Sequence, residues 1–173
     1  MTKVGPPVGC AVFVDNRNGV TGIEKLLRAF EPLVAFGDRQ YHEGAVFSNR
    51  HYHEGIASPA CASLGGEQLE LIVITEKIEV ANMLLLDFNE EEFVDLARAQ
   101  RIDMAELFIP YVEVAKAVDE TLTIALGFDL MAPSDLREQS LYDVGVALLF
   151  VRDENSPAWL RKQLRPFVGH YLP

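Results

Sequence analysis

Three of the four histidines lie within residues 41–55, where the tetrapeptide Tyr-His-Glu-Gly occurs twice, eleven residues apart. A hairpin with its turn near residues 48–51 would place His42, His51 and His53 on one face, because side chains alternate along a strand. His51 and His53 are close enough to share one metal ion, whereas His42 lies about 13 Å further along the strand. The sequence therefore predicts a candidate metal site at His51 and His53, which needs a third ligand from elsewhere, such as His170.

Carboxylates at the ends of apolar runs form a second candidate site. Asp15, Glu76, Asp87 and Asp129 each follow an apolar run at the end of a predicted strand. In an α/β sheet such carboxylates can converge at one edge and hold Mg²⁺ for phosphoryl transfer or hydrolysis, with Asp15 and Asp87 as the candidate ligands. The competing interpretation is that acidic residues end strands because the chain leaves the core for water there. No cofactor is expected, with a divalent metal ion as the alternative.

The charge of the chain is high and unevenly distributed. The 173 residues carry a net charge of −11, and residues 76–156 hold 18 acidic and 6 basic side chains. Residues 157–173 hold three basic side chains and no acidic one. This balance argues against binding to nucleic acid or to an anionic membrane surface, since a polyanion is bound by a basic surface. A basic protein partner is the expected partner.

The acidic segment predicts an interaction surface. Its candidate contacts to the partner are Glu90, Glu91, Glu92, Asp95, Asp119 and Glu120. The favoured function is an acidic, non-enzymatic interaction protein, such as an inhibitor or immunity protein that blocks a basic toxin or nuclease. The alternatives are a magnesium-dependent phosphoryl-transfer or hydrolase enzyme and a metal site on the histidine hairpin. No residue is assigned a catalytic role.

Local patterns predict the elements that carry these residues. The predicted strands are residues 9–15, 69–75, 78–88, 121–131 and 141–151, in addition to the histidine hairpin. Helices are predicted from about Gly22 with a Thr21 cap, from Asn89, from Asp103, and from Ser156 to the region of Phe167. Residues 57–68 are rich in Ser, Ala, Gly and Pro and are predicted to form a loop.

The strands cluster instead of alternating strictly with helices, which favours one α+β domain over residues 1–173. We expect a mixed or antiparallel sheet covered by about four helices, with a doubly wound parallel sheet as the second choice. The two cysteines, Cys10 and Cys61, indicate no disulfide framework. No apolar run is long enough to cross a bilayer and no secretory leader is visible, so the expected location is the cytoplasm. The oligomeric state stays open.

Overall fold

The computed structural model describes residues 7–36, 56–153, 155–156 and 158–167. Eight described strands form one sheet: β1 (Val8–Asp15), β2 (Val34–Phe36), β3 (Ile56–Leu64), β4 (Glu67–Lys77), β5 (Ala81–Phe88), β6 (Thr121–Phe128), β7 (Val146–Arg152) and β8 (Trp159–Gln163). Their order is β2-β3-β4-β5-β1-β6-β7-β8, and every neighbouring pair is antiparallel. The predicted α+β class is therefore confirmed, and of the two predicted sheet types, mixed and antiparallel, the described strands form the antiparallel one.

The described helices are shorter than expected for a sheet covered by about four helices. The described helices are α1 (Thr21–Phe30), α2 (Glu90–Gln100), α3 (Met104–Leu107), α4 (Ile109–Lys116) and α5 (Glu138–Tyr142). Within the described ranges, only α1, α2 and α4 have eight residues or more. The sheet dominates the fold, so the expected cover of about four helices is not confirmed. None of these helices is long and apolar enough to span a membrane.

The four central strands have the split βαβ arrangement of ferredoxin-like folds. β5 and β6 both run antiparallel to β1, which lies between them, so β5 and β6 are parallel to each other. The connection from β5 to β6 contains α2, α3 and α4 and passes from one side of β1 to the other. The β2–β3 pair extends one edge of this central unit, and the β7–β8 pair extends the other.

Both faces of β1, β5 and β6 are buried. Leu84, Leu86 and Phe88 of β5 belong to the core between the sheet and α1–α4, whereas Met83 and Leu85 belong to a second core on the opposite face. Residues of the connection between β6 and β7, including those of α5, cover the second core. A strand that is covered on both faces needs apolar residues at every position, which explains the continuous apolar run in β5.

Two of the predicted helix starts are confirmed by side-chain caps. The Asn89 side chain accepts a hydrogen bond from the Glu92 amide at 3.0 Å, and Asp103 accepts one from the Ala105 amide at 2.9 Å. Each cap satisfies a helix-terminal amide that has no partner within the helix. The predicted Thr21 cap is wrong, because α1 already includes Thr21 and its N-cap residue, Val20, makes no side-chain cap.

Replacing Asn89 with alanine should lower the free energy of unfolding by about 1 kcal/mol, because the Glu92 amide loses its acceptor. Urea denaturation monitored by circular dichroism measures this loss. Asn89→Asp is the matched control, since it keeps an acceptor oxygen and should retain most of the stability. Equal stability of the alanine variant and the parent protein would show that the cap contributes nothing.

The prediction of a loop at residues 57–68 is wrong. Most of this segment is β3, which pairs with β4 from Ile56 opposite Thr75 to Leu64 opposite Glu67. Ala60, Ala62 and Leu64 are buried against the helix layer. The small residues of this segment have a low intrinsic preference for a strand. They form one here because β4 provides backbone hydrogen-bond partners along its length.

The prediction of a C-terminal helix after Ser156 is also wrong, because residues 159–163 form β8. This strand pairs with β7 from Trp159 opposite Arg152 to Gln163 opposite Leu148. The apolar spacing of the segment is compatible with a helix, but the free edge of β7 offers it a ladder of backbone partners. The basic residues Arg161 and Lys162 therefore lie on an outer strand of the sheet.

Candidate functional site

The exposed acidic residues of α2 form the first candidate site. Phe93, Val94 and Ala97 turn one face of the helix into the core. Glu91, Glu92 and Asp95 are exposed, and none of the three forms an ion pair within the described ranges. Asp95 follows Glu91 by four residues and Glu92 by three, a spacing that places side chains together on a helix surface. We call these three residues the α2 acidic surface.

Glu90 does not belong to that surface. It is 8% exposed, and its Oε2 atom is buried without a hydrogen-bond partner among the described residues. The residue begins α2, where the positive end of the helix dipole favours a carboxylate. Of the four acidic residues predicted for this helix, the structure thus leaves three available to a partner.

Asp119 and Glu120 lie at the opposite end of the sheet from the start of α2. Phe88, just before α2, pairs with Val8 of β1, whereas Thr121, just after Glu120, pairs with Val14. These two positions on β1 are six residue steps apart, or about 20 Å along an extended strand. The start of α2 and the Asp119–Glu120 pair therefore lie at opposite ends of the central strands.

Glu120 already has a cationic partner. Lys25 of α1 donates a hydrogen bond to its Oε1 at 2.6 Å, and this bond lowers the pKa of Glu120 and raises that of Lys25. Asp119 is exposed, and its charge also favours the protonated form of Lys25. This end of the sheet is thus partly neutralised, in contrast to the α2 acidic surface.

The two candidate magnesium ligands do not meet. Asp15 ends β1, whereas Asp87 pairs with Gly9 near the start of β1. The six residue steps from Gly9 to Asp15 correspond to about 20 Å, so one ion cannot contact both carboxylates. Asp15 instead accepts a hydrogen bond from the Arg17 guanidinium at 2.5 Å. The carboxyl ends of neighbouring antiparallel strands lie at opposite edges of a sheet, which is the physical reason for the separation.

Asp87 lies near Asp129, another of the four carboxylates predicted at strand ends. β5 and β6 end on either side of β1 at the same sheet edge, and the charge of Asp129 contributes to the raised pKa of Asp87. Burial is the larger cause, and together they raise the pKa of Asp87 to about 7. Gly9 provides space for this carboxyl group, since a Cβ there would lie 2.6 Å from Asp87 Oδ1.

No group of three or more His, Cys, Asp or Glu residues within the described ranges is arranged to hold a metal ion. Asp87 and Asp129 form a pair of carboxyl groups whose charges are coupled. The candidate ligands His51 and His53, and His170 as a third, lie outside the described residues. The histidine site stays a prediction.

A groove between α4 and the β7–β8 pair was not predicted from the sequence. It has a volume of about 410 Å³, and its lining includes Ile109, Lys116, Phe150, Trp159 and Arg161. The ammonium nitrogen of Lys116 lies 5.1 Å from the centre of the Phe150 ring. The only sequence signal for this region was the excess of basic residues after residue 156. That signal indicated the charge of the segment. Its position at the sheet edge was missed because the segment was predicted to be a helix.

Comparison of the chain with family models, curated proteins and solved structures finds no match.

Proposed function

We propose that the protein is a non-enzymatic interaction protein that binds and blocks a basic protein, in the manner of an inhibitor or immunity protein. The observation that supports this proposal is the α2 acidic surface, whose three carboxylates are exposed and without ion pairs in the described part of the chain. A cationic partner would complement this surface, raise the association rate and disfavour acidic competitors.

Helix stability alone does not explain the α2 acidic surface. Glu91 and Glu92 lie in the first turn, where the helix dipole favours negative charge, but Asp95 lies beyond that turn. Like charges four residues apart destabilise a helix by a few tenths of a kcal/mol, so the Glu91–Asp95 pair is unfavourable in the isolated protein. Binding of lysine or arginine side chains would remove that repulsion.

The partner can be identified by its charge and by its response to salt. The intact protein serves as bait in the lysate of its source cells at low and high salt, and mass spectrometry identifies the retained proteins. We expect a stoichiometric basic protein that high salt releases, because salt screens interactions between exposed charges. Retention of no basic protein at low salt would contradict the proposal.

Reversing the three charges of the α2 acidic surface should slow association with the purified partner by about tenfold. The test variant is Glu91→Lys, Glu92→Lys, Asp95→Lys, and stopped-flow kinetics measure the rate. The matched control is Glu67→Lys, Glu70→Lys, Glu79→Lys, which changes the net charge equally at three exposed positions on β4 and the β4–β5 connection. Equal slowing of both variants would show that net charge matters and that α2 is not the contact.

A further inference from the structure

β8 forms the outer edge of the described sheet. It pairs with β7 on one side, and no strand of the described residues pairs with its other side. An unpaired edge presents backbone N–H and C=O groups that can bind an additional strand. Which residues of β8 present these groups follows from the bonds on its inner side.

The hydrogen bonds at the two ends of β8 show which of its residues bond to β7 and which face the open edge. The Asp153 amide donates to the Ala158 carbonyl at 3.0 Å, and the Leu164 amide donates to the Ala147 carbonyl at 2.8 Å. In an antiparallel pair, every second residue is bonded to the neighbouring strand, so Leu160 and Lys162 are the β8 residues bonded to β7. The backbone groups of the intervening residues point away from the sheet; these residues are Trp159, Arg161 and Gln163.

The side chains of β8 include the aromatic Trp159 and two basic groups, of which Lys162 already donates a hydrogen bond to Glu138 at 2.9 Å. Arg161 is exposed and forms no ion pair within the described ranges. The Arg152 guanidinium lies 4.8 Å from the centre of the Trp159 ring, and it donates to the backbone carbonyls of Thr121 and Val118 at 3.1 and 3.2 Å. These bonds hold Arg152 in place, so the Trp159 ring packs against a fixed support. Leu160, on the other face of β8, is 47% exposed.

We propose that β8 binds an extended acidic segment of a partner protein by strand addition. The segment would pair with the outward backbone groups of Trp159, Arg161 and Gln163, as in other cases of β-augmentation. A carboxylate opposite Arg161 forms a cross-strand ion pair, and an apolar side chain beside Leu160 covers its exposed surface. This surface is opposite in charge to the α2 acidic surface and independent of the function proposed for α2.

A second copy of β8 is a poor occupant of this edge. Antiparallel pairing of the outward residues about a two-fold axis would place Trp159 opposite Gln163 and Arg161 opposite the Arg161 of the other copy. Like charges directly opposite each other destabilise a strand pair. Basic residues on an edge strand thus disfavour pairing with a copy while they favour an acidic strand.

Binding of two synthetic peptides tests the proposal. In one peptide glutamate alternates with valine, in the other lysine alternates with valine, and each has about seven residues so that it can span β8. Fluorescence anisotropy with labelled peptides measures affinity, and amide hydrogen exchange reports the bonds formed. We expect saturable binding of the glutamate peptide alone, with new protection at the amides of Trp159, Arg161 and Gln163.

Two substitutions at one position separate charge from backbone pairing. Arg161→Gln should weaken binding of the glutamate peptide by about fivefold, because the cross-strand ion pair is lost. Arg161→Pro also removes the outward N–H, which the sheet itself does not use, so it should leave the melting temperature close to that of Arg161→Gln and weaken binding by about a further fivefold. The matched control is Arg28→Gln on α1, an exposed position that should leave affinity unchanged.

The proposal is overturned by equal binding of both peptides, by no saturable binding, or by Arg161→Pro binding as well as Arg161→Gln. A concentration-dependent dimer of the chain that Arg161→Gln strengthens would assign the edge to a second copy instead, and sedimentation velocity detects it. Protection of the three outward amides by the glutamate peptide, lost in Arg161→Pro, supports strand addition.

Discussion

Replacing Phe108 with alanine should lower the free energy of unfolding by about 4 kcal/mol. Phe108 is completely buried and lies between α3 and α4. Its ring stacks on Phe93 of α2 with centres 4.8 Å apart, and it meets Phe88 of β5 edge-on at 6.0 Å. The substitution removes contacts to the sheet and to the helix layer together and leaves a cavity between them.

Urea denaturation at constant pH measures the effect, and Phe108→Leu is the conservative comparison. Leucine fills part of the space, so the loss should fall to about 1.5 kcal/mol. Ile109→Ala is a control at the next residue, which is 53% exposed, and should change stability by less than about 0.5 kcal/mol. A loss below about 1 kcal/mol for Phe108→Ala would mean that the aromatic cluster repacks around the cavity.

Replacing Asp87 with asparagine should stabilise the protein above pH 7 and leave its stability unchanged near pH 4. The pKa of this carboxyl group is about 7 in the folded protein, against an ordinary value of 3.8. The folded state therefore holds the proton more tightly than the unfolded state does. The stability that this proton binding contributes is fully present below pH 3.8 and is lost as the pH rises through 7.

The full difference in pKa corresponds to about 4 kcal/mol at high pH. Because the Asp87 side chain is only partly buried, solvent screening reduces this amount, and we expect a gain of about 2 kcal/mol for Asp87→Asn at pH 8. Unfolding of both proteins in urea from pH 4 to pH 8 measures the difference. Asp129→Asn is the matched variant: it removes the smaller cause of the shift and should lower the pKa of Asp87.

A stability difference between the parent protein and Asp87→Asn that is the same at every pH would contradict the raised pKa. The carboxyl resonance of Asp87 in an NMR titration gives an independent test, with a midpoint near pH 7 expected. An ordinary midpoint near pH 4 would show that water reaches Asp87 Oδ1, which is buried without a hydrogen-bond partner among the described residues.

Local sequence signals were sufficient where a segment has its own strong pattern. The apolar runs predicted β1, β4, β5 and β6, and Asn89 and Asp103 marked the first turns of α2 and α3. These predictions succeed because a buried strand and a capped helix end need particular residue types at adjacent positions. The acidic character of α2 was likewise visible in the sequence. The burial of Glu90 was not, because it depends on how the helix packs on the sheet.

Strand pairing decided the remaining features. β3 and β8 have weak or ambiguous local patterns and become strands because β4 and β7 offer them backbone partners. The direction of each strand then places Asp15 and Asp87 at opposite edges of the sheet. The ends of β5 and β6, which carry Asp87 and Asp129, lie at the same edge. The α+β class, the central strands and the charge of each segment could be read from the residues alone. Which charges share a surface could not, because neighbours in a sheet are set by long-range hydrogen bonding and not by nearby residues.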